Sequence, residues 1–410
     1  MPDHRNNWRV TAALFALTGI VESFAFGHLN AFTPIYLKQL HVAPDLIPRW
    51  TGLLASLGFI LGIPLLPFWG VWADRYSRKL IIIRSSYAGA LMFALAALST
   101  NVWQLALARS VSGLVLGNTG VMLAVQAEIT PRERLGVAIA SVTAGNPLGM
   151  ALGPLFGGFI VKRWGVPTLL LIDAVLTAVV ALLLTLLLHE EPRVRRTDAR
   201  VGALLREALG NIVKTPLVLR LFGLGFIVML GINVASPFVP LRIAQLYTGE
   251  SAQVPLIIGA IVSAMGIAMA VSTPLWGHLS DRIGYVPVLR LGVLSVAVMF
   301  AVQAFARSLP LFAAGRIGQG LVQGGIDAAI VALIALRTPA DRRASVLNLS
   351  RLPLQLTWFL GPILGALLSP FGLLAIFGAA ALLSFGSFGA TWLLERDRSS
   401  ISREYAPPNG

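Results

Sequence analysis

Five ionisable side chains stand inside runs of apolar residues: Glu22, Arg109, Asp173, Arg316 and Asp327. A charge at the centre of an apolar layer costs roughly 2.5–3.5 kcal/mol even on a lenient insertion scale, so such residues mark places where a proton, an ion, a polar cargo or a counter-charge is met. Asp327 ends a polar series, Arg316, Gln319, Gln323 and Asp327, whose spacings of three, four and four put it on one helical face. Glu22 shares a face with Thr18, Phe26 and Asn30, and Asn348, Gln355 and Trp358 form a similar series nearer the C-terminus. Acids, amides and aromatic rings together suit small amphipathic molecules, often cations. For Asp327 a structural ion pair is the competing reading. His28 and His278 are further proton acceptors. Cysteine is absent and histidine numbers five, which excludes disulfides and thiol nucleophiles, leaves little for a metal site, and implies no cofactor.

The elements that must position these residues follow from composition. Of 410 residues 56% are hydrophobic and 12% charged, with a mean hydropathy of +0.78. Soluble domains run at roughly 25% charged, so this chain has too few polar side chains to cover a water-facing surface and needs lipid as its solvent. A crossing helix takes about 20 mostly apolar residues. Runs of that kind lie near 10–36, 50–72, 80–99, 103–126, 136–161 and 166–188, and again near 216–243, 254–279, 286–306, 310–335, 343–369 and 372–394. The first is too long for a signal-peptide core. The reading is an all-α membrane protein with twelve transmembrane helices. Glu22 sits ~18 Å along its helix and Arg109 ~20 Å from the same membrane face, near mid-depth of a ~30 Å core.

Lysine and arginine set the orientation. With the N-terminus inside, 24 fall in cytoplasmic segments and six outside (Lys38, Arg49, Lys162, Arg163, Arg242 and Arg307). Both termini are therefore expected in the cytoplasm. The net charge of +14 is then a topology signal, and nucleic acid is not an expected partner.

The chain also repeats itself. Gly70-Val-Trp-Ala-Asp74-Arg75 returns as Gly277-His-Leu-Ser-Asp281-Arg282, and Arg109 with Gly113 and Gly117 returns as Arg316 with Gly320 and Gly324, all at an offset of 207. Gly153-Pro154 and Gly361-Pro362 lie 208 apart. The expected division is a six-helix half over 1–188, a cytoplasmic linker over 189–215, a second half over 216–394 and a tail over 395–410, the halves being pseudo-symmetric. Paired halves let a central site open to alternate sides of a membrane. Gly145, Gly149, Gly153 and Gly157 recur every fourth residue, so they share a face that lets another helix come close. Pro147 and Pro154 permit a bend there.

These residues resemble the major facilitator superfamily, and within it the twelve-span drug:proton antiporters. Gly70 to Leu80 (GVWADRYSRKL) is similar to the loop motif between spans two and three, departing from it at Trp72 and Ser77. Arg109 with Gly113 and Gly117 resembles the fourth-span arginine motif. Gly145 to Gly158, with Gly149, Gly153, Pro154 and Gly157, resembles the fifth-span motif that marks antiporters. The resemblance implies a cavity lined by spans one, four, seven and ten. It implies a cytoplasmic gate of Asp74, Arg75, Arg78 and Glu128, with Asp281 and Arg282 as an incomplete second copy. The expected coupling group is Glu22 with Arg109 and Asp327. A carboxylate whose surroundings alternate between a dry pocket and a nearby cation can load and release a proton. The expected cavity comprises Glu22, Phe26, Asn30, Arg109, Gln323, Asp327, Gln355 and Trp358.

The function expected is proton-coupled antiport that exports small amphipathic compounds, with protons, a small-molecule substrate and the lipid bilayer as partners. The expected setting is a bacterial inner membrane and the expected state a monomer. A dedicated exporter of tetracycline, a sugar or a metabolite is the alternative, and a transporter-like sensor or a membrane enzyme the remote one. No glycine-rich phosphate loop with a Lys-Ser/Thr end is present.

Overall fold

Lipid offers no hydrogen bonds, so a crossing segment has to pair its own backbone, and a helix does so. The computed structural model describes residues 7–189, 216–338 and 351–394, and all regular structure among them is helical. Most of the expected linker, the tail and Asn348 lie outside the described residues, as does the side chain of Asp74.

The helices are α1 (Trp8–Gln39), α2 (Ile47–Ile60), α3 (Gly62–Arg75), α4 (Arg78–Ala97), α5 (Val102–Val111), α6 (Asn118–Ile129) and α7 (Leu135–Leu187). Then come α8 (Pro216–Ala235), α9 (Val239–Leu246), α10 (Val254–Ile283), α11 (Tyr285–Phe305), α12 (Leu309–Arg337), α13 (Arg351–Leu368) and α14 (Leu373–Ala390). Polar caps fix several starts. Asn7 accepts from the Arg9 amide, Ser77 from the Leu80 amide, and Asn101 from the amides of Trp103 and Gln104.

Eleven helical segments among the described residues are long and apolar enough to cross a bilayer. One of them contains α7, whose 53 residues would run ~80 Å as a straight helix, more than twice a ~30 Å core. It turns instead at Gly165, where φ is 82° and ψ 172°, and so crosses twice. Counting it twice gives twelve spans. Gly372, which precedes the last span, has φ 86° and lies 207 residues after Gly165. A left-handed φ suits glycine because no Cβ meets the backbone, so the sharp turn before the final span recurs at the repeat distance.

Span two (α2–α3) and span four (α5–α6) are each interrupted. The first breaks at Leu61 and the second at a 3-10 turn, Ser112–Leu114. The breaks touch: a Cβ on Gly113 would lie 2.7 Å from the Gly62 nitrogen.

The described residues fall into two compact units, one drawn from 1–201 and 239–266, the other from 202–238 and 267–410. In the first, α1 and α4 pack on α7. In the second, α8 packs on α13 and α14, and α11 on α12 and α14. Spans one with five, and seven with eleven, are equivalent pairings under the repeat. Large apolar side chains such as Leu107, Phe159, Phe305 and Leu382 remain exposed, as a lipid-facing surface requires.

Candidate functional site

Glu22 lies midway along α1 and is half-buried. Its two carboxylate oxygens are taken separately: Ser86 Oγ on α4 donates to Oε1 at 2.9 Å, and Asn118 Nδ2 at the start of α6 donates to Oε2 at 2.8 Å. Gly117, with φ 94°, ends the fourth-span break and brings Asn118 into place. A Cβ on Gly117 would lie 2.6 Å from the Trp69 ring, so the break, the ring and the amide that holds Glu22 form one packed unit.

The cation nearest this carboxylate in effect is Arg84 of α4, whose charge acts on Glu22. Its guanidinium stacks 3.3 Å from the Trp69 ring centroid, and Nη2 donates to the Leu116 carbonyl at 3.0 Å. Nε and Nη1 of Arg84 and Nε1 of Trp69 are buried with no hydrogen-bond partner among the described residues. The count of basic residues assigns Arg84 to the cytoplasmic loop, but it lies in the second turn of α4, inside span three.

Arg109 is buried elsewhere. Its Nε donates to the Leu54 carbonyl at 3.1 Å, two turns before the break in span two, and its Nη1 has no hydrogen-bond partner among the described residues. The structure therefore brings Glu22 together with Ser86, Asn118 and Arg84, and holds Arg109 by hydrogen bond to span two. Phe26 meets Phe93 edge to face at 6.0 Å, and Asn30 is exposed.

In the second unit the polar series on α12 forms a chain. Arg316 Nη1 donates to Gln319 Oε1 at 2.8 Å, Gln319 Nε2 to Gln323 Oε1 at 3.1 Å, and Gln303 Nε2 of α11 to Gln319 Oε1 at 3.0 Å. Arg316 and Gln319 are buried, Gln323 half-buried, and Asp327 exposed without a hydrogen bond among the described residues. Gln355 is half-buried and Trp358 exposed.

The glycine face of α7 finds its partner in α1. Cβ atoms on Gly145 and Gly153 would lie 2.5 Å from the Ala16 carbonyl oxygen and 2.6 Å from that of Phe24, and one on Gly149 would strike the Ile20 carbonyl oxygen. On Gly157 it would lie 2.5 Å from the His28 ring. Every fourth residue of one helix thus meets every fourth residue of the other. Ser23 Oγ ties the pair to Asn146 Oδ1 at 3.1 Å. The second unit repeats the device: Gly361 packs on Asn233 and Gly365 on Val234 and Phe238, with Asn233 Nδ2 donating to Thr357 Oγ1 at 2.9 Å.

Of the expected gate, Arg78 Nη1 pairs with Glu128 Oε1 at 2.7 Å, joining α4 to the end of α6. Arg75 is exposed beside Tyr76. In the second copy Asp281 and Arg282 are exposed, and Asp281 accepts from the Tyr285 hydroxyl at 3.2 Å.

The Major Facilitator Superfamily profile matches residues 15–241 and 221–407, which together cover nearly the whole chain. The chain belongs to the Major Facilitator Superfamily. It is accordingly a multi-pass membrane transporter of small molecules, not an enzyme. Among curated relatives it is 27% identical to the multidrug resistance protein MdtG of Klebsiella pneumoniae (strain 342), over 97% of this chain and 96% of that one. It is likewise 27% identical to MdtG of Citrobacter koseri, covering 97% and 98%. Among solved structures, a bacterial homologue of the human lysosomal transporter Spinster superposes with a TM-score of 0.78 at 16% identity, covering 95% and 96%. The nucleoside transporter NupG superposes with a TM-score of 0.72 at 14% identity, covering 95% and 99%. At such identities the superfamily fold is what is shared.

The signal that would have found Ser86 and Asn118 is present in this sequence. Both are polar residues inside apolar runs, and Asn118 directly follows a motif glycine. Nothing in the sequence joins them to Glu22, because that pairing depends on how three helices pack.

Proposed function

We propose that this superfamily member exports small amphipathic compounds, cations among them, in exchange for protons, and that Glu22 is the residue where the two meet. Its near-full-length likeness to multidrug resistance proteins supports export of more than one compound. The carrying observation is the Glu22 carboxylate itself. It lies inside a span, half open, with one donor from each of two other spans and Arg84 close by. Two hydrogen bonds occupy its oxygens, and a cationic cargo or a proton competes for the same oxygens.

The rest of the reading follows the superfamily pattern. Substrate meets Glu22, Phe26 and Asn30 in the first half and Gln323, Asp327, Gln355 and Trp358 in the second, with Asp327 as a second acid. Arg109 serves coupling through span two, and the Arg78–Glu128 pair, with Asp74, Arg75, Asp281 and Arg282, latches the cytoplasmic side. The halves 1–188 and 216–394 work by alternating access, both termini face the cytoplasm of a bacterial inner membrane, and the monomer is the working unit.

The test uses everted vesicles that accumulate a fluorescent lipophilic cation. Glu22→Gln keeps the size and one oxygen acceptor but removes the charge, and is expected to abolish proton-driven accumulation while the protein is still made and folded. Collapsing the proton gradient should do the same to the wild type. Undiminished accumulation by Glu22→Gln removes Glu22 from the mechanism. Accumulation that survives loss of the gradient removes the proton.

A further inference from the structure

His28 and Asp173 form a buried pair in the same unit as Glu22, each with no side-chain exposure, and His28 lies about a third of a turn round α1 from Glu22. His28 Nδ1 lies 2.9 Å from Asp173 Oδ1 and 3.0 Å from Oδ2, and its Nε2 lies 2.7 Å from the carbonyl oxygen of Gly153. Both ring nitrogens thus face oxygen. A carbonyl accepts only, so Nε2 must carry hydrogen. Nδ1 must then either carry a second hydrogen, as imidazolium against carboxylate, or accept one from a protonated Asp173. Either way the pair holds one proton more than a neutral ring beside a carboxylate would when its hydrogen sits on Nδ1. Remove that proton and, with the remaining hydrogen drawn to the carboxylate, the Nε2 lone pair faces the Gly153 oxygen at hydrogen-bonding distance, a repulsive contact in a dry site.

The position makes this proton count matter. Gly153 belongs to the glycine face on which α1 rests, and Gly157 of that face leaves the space that the His28 ring fills. Phe24 meets the ring edge to face at 4.5 Å, and Phe32 flanks it at 6.4 Å. Asp173 belongs to span six, in the part of α7 beyond the Gly165 turn. The pair therefore ties three spans together at one point.

The hydrogen-bonded ionisable groups on the neighbouring elements are engaged elsewhere, and Lys38 and Arg163 are exposed. On α1, Glu22 is held by Ser86 and Asn118, and Tyr36 donates to the Ala96 carbonyl. On α4, Arg78 pairs with Glu128, Lys79 and Tyr87 bond to Thr185, and Arg84 bonds to Leu116. On α7, Lys162 donates to Gln253. Among the described residues no other ionisable side chain hydrogen-bonds to His28 or Asp173.

We propose that His28 and Asp173 are a second proton-binding site, separate from Glu22, whose proton clamps α1 onto the glycine face of α7 and whose loss to water releases that clamp. His28 and Asp173 are here positioning residues that set how α1 sits, and the proposal holds whatever the cargo and whether or not Glu22 couples to protons.

The test needs the full chain in lipid nanodiscs. Replacing the four other histidines by glutamine leaves His28 as the one ring observed by ¹⁵N NMR. At neutral pH Nε2 is expected to show a directly bonded hydrogen. The chain has no cysteine, so Leu17→Cys on α1 and Leu148→Cys on α7, both at exposed positions, take spin labels cleanly. Their separation is expected to widen when the pH is raised until the Nε2 hydrogen signal disappears. In Asp173→Asn an amide can donate to Nδ1 of a neutral ring, so the contact with Gly153 persists without the extra proton and the separation should no longer follow pH. A bare Nε2 at neutral pH overturns the proposal even if the variant fails to fold. So does a wild-type separation that stays constant through loss of the hydrogen, or a pH response retained by Asp173→Asn.

Discussion

A carboxylate kept inside a bilayer has to find donors, and each donor can be removed singly. Asn118 supplies one of the two that hold Glu22. Interhelical hydrogen bonds in membranes measure about 0.6 kcal/mol on average, reaching about 1.7, and a bond to a charged oxygen belongs at the upper end. Asn118→Leu is therefore expected to slow accumulation of a cationic dye in everted vesicles by about tenfold, since ~1.4 kcal/mol is a factor of ten, and Ser86→Ala to have a smaller effect. Equal rates in Asn118→Leu and wild type would mean that the carboxylate does not depend on this amide. Reading the sequence goes only so far at this scale. Glu22 is legible because a charge among apolar residues is conspicuous whatever surrounds it. Ser86, Asn118 and Arg84 are not, because hydroxyls and amides enter membrane helices at little cost, and Arg84 lies close enough to the Arg75–Lys79 loop to be counted with it. The pairing of His28 with Asp173 is hidden for the same reason: 145 residues separate them, and only the packing of α1 on α7 brings them together.

The helix pair α1–α7 shows how a pattern of small residues becomes a structure. A four-residue glycine repeat announces a face for close approach, and here the face is occupied by the backbone of α1 at Ala16, Ile20 and Phe24 and by the ring of His28. The repeat itself does not name α1, since any helix could rest on such a face. Space decides what each glycine tolerates. Gly149→Val would drive its side chain into the Ile20 carbonyl and the Phe24 amide, so the helices must separate, and overpacking of this kind costs about 1–3 kcal/mol. A Cβ on Gly136 or Gly378 meets nothing within 4 Å. Thermal unfolding in detergent should therefore show a clear loss of stability for Gly149→Val and for Gly365→Val in the second unit, with Gly136→Ala and Gly378→Ala close to wild type. Similar melting of all four would mean that the glycine faces do not set the helix spacing. The breaks in spans two and four were partly legible: Pro64 has no amide hydrogen to give the Ile60 carbonyl beside the first, and Gly113 stands in the second. That the two backbones meet at Gly62 and Gly113 shows only in the packing.

For the whole molecule, sequence and structure rest on the same two regularities, apolar length and the 207-residue repeat. Twelve spans were countable because lipid permits few alternatives to a helix of about 20 residues. The repeat gains a physical meaning in the fold: Trp69 and Trp276, 207 apart, each lie against a glycine of the following polar span, Gly117 and Gly325. Orientation is a separate matter, because a helical bundle has the same internal contacts whichever way it is inserted, and it rests on the distribution of Lys and Arg. Arg84, Arg220 and Arg290 each lie in the second turn of a helix (α4, α8 and α11), and leaving them out lowers the cytoplasmic count from 24 to 21 with the bias intact. Direction matters for function, since export and import by one cavity differ only in which side sees the proton gradient. Single cysteines can be placed without background because the chain has none. Tyr76, exposed between α3 and α4, belongs to the side assigned to the cytoplasm, and Ser251, exposed just before α10, to the opposite side. In intact cells a membrane-impermeant maleimide should label Ser251→Cys at once and reach Tyr76→Cys only after the membrane is permeabilised. The opposite labelling would place the Arg78–Glu128 pair on the outer face and turn the proposed exporter around.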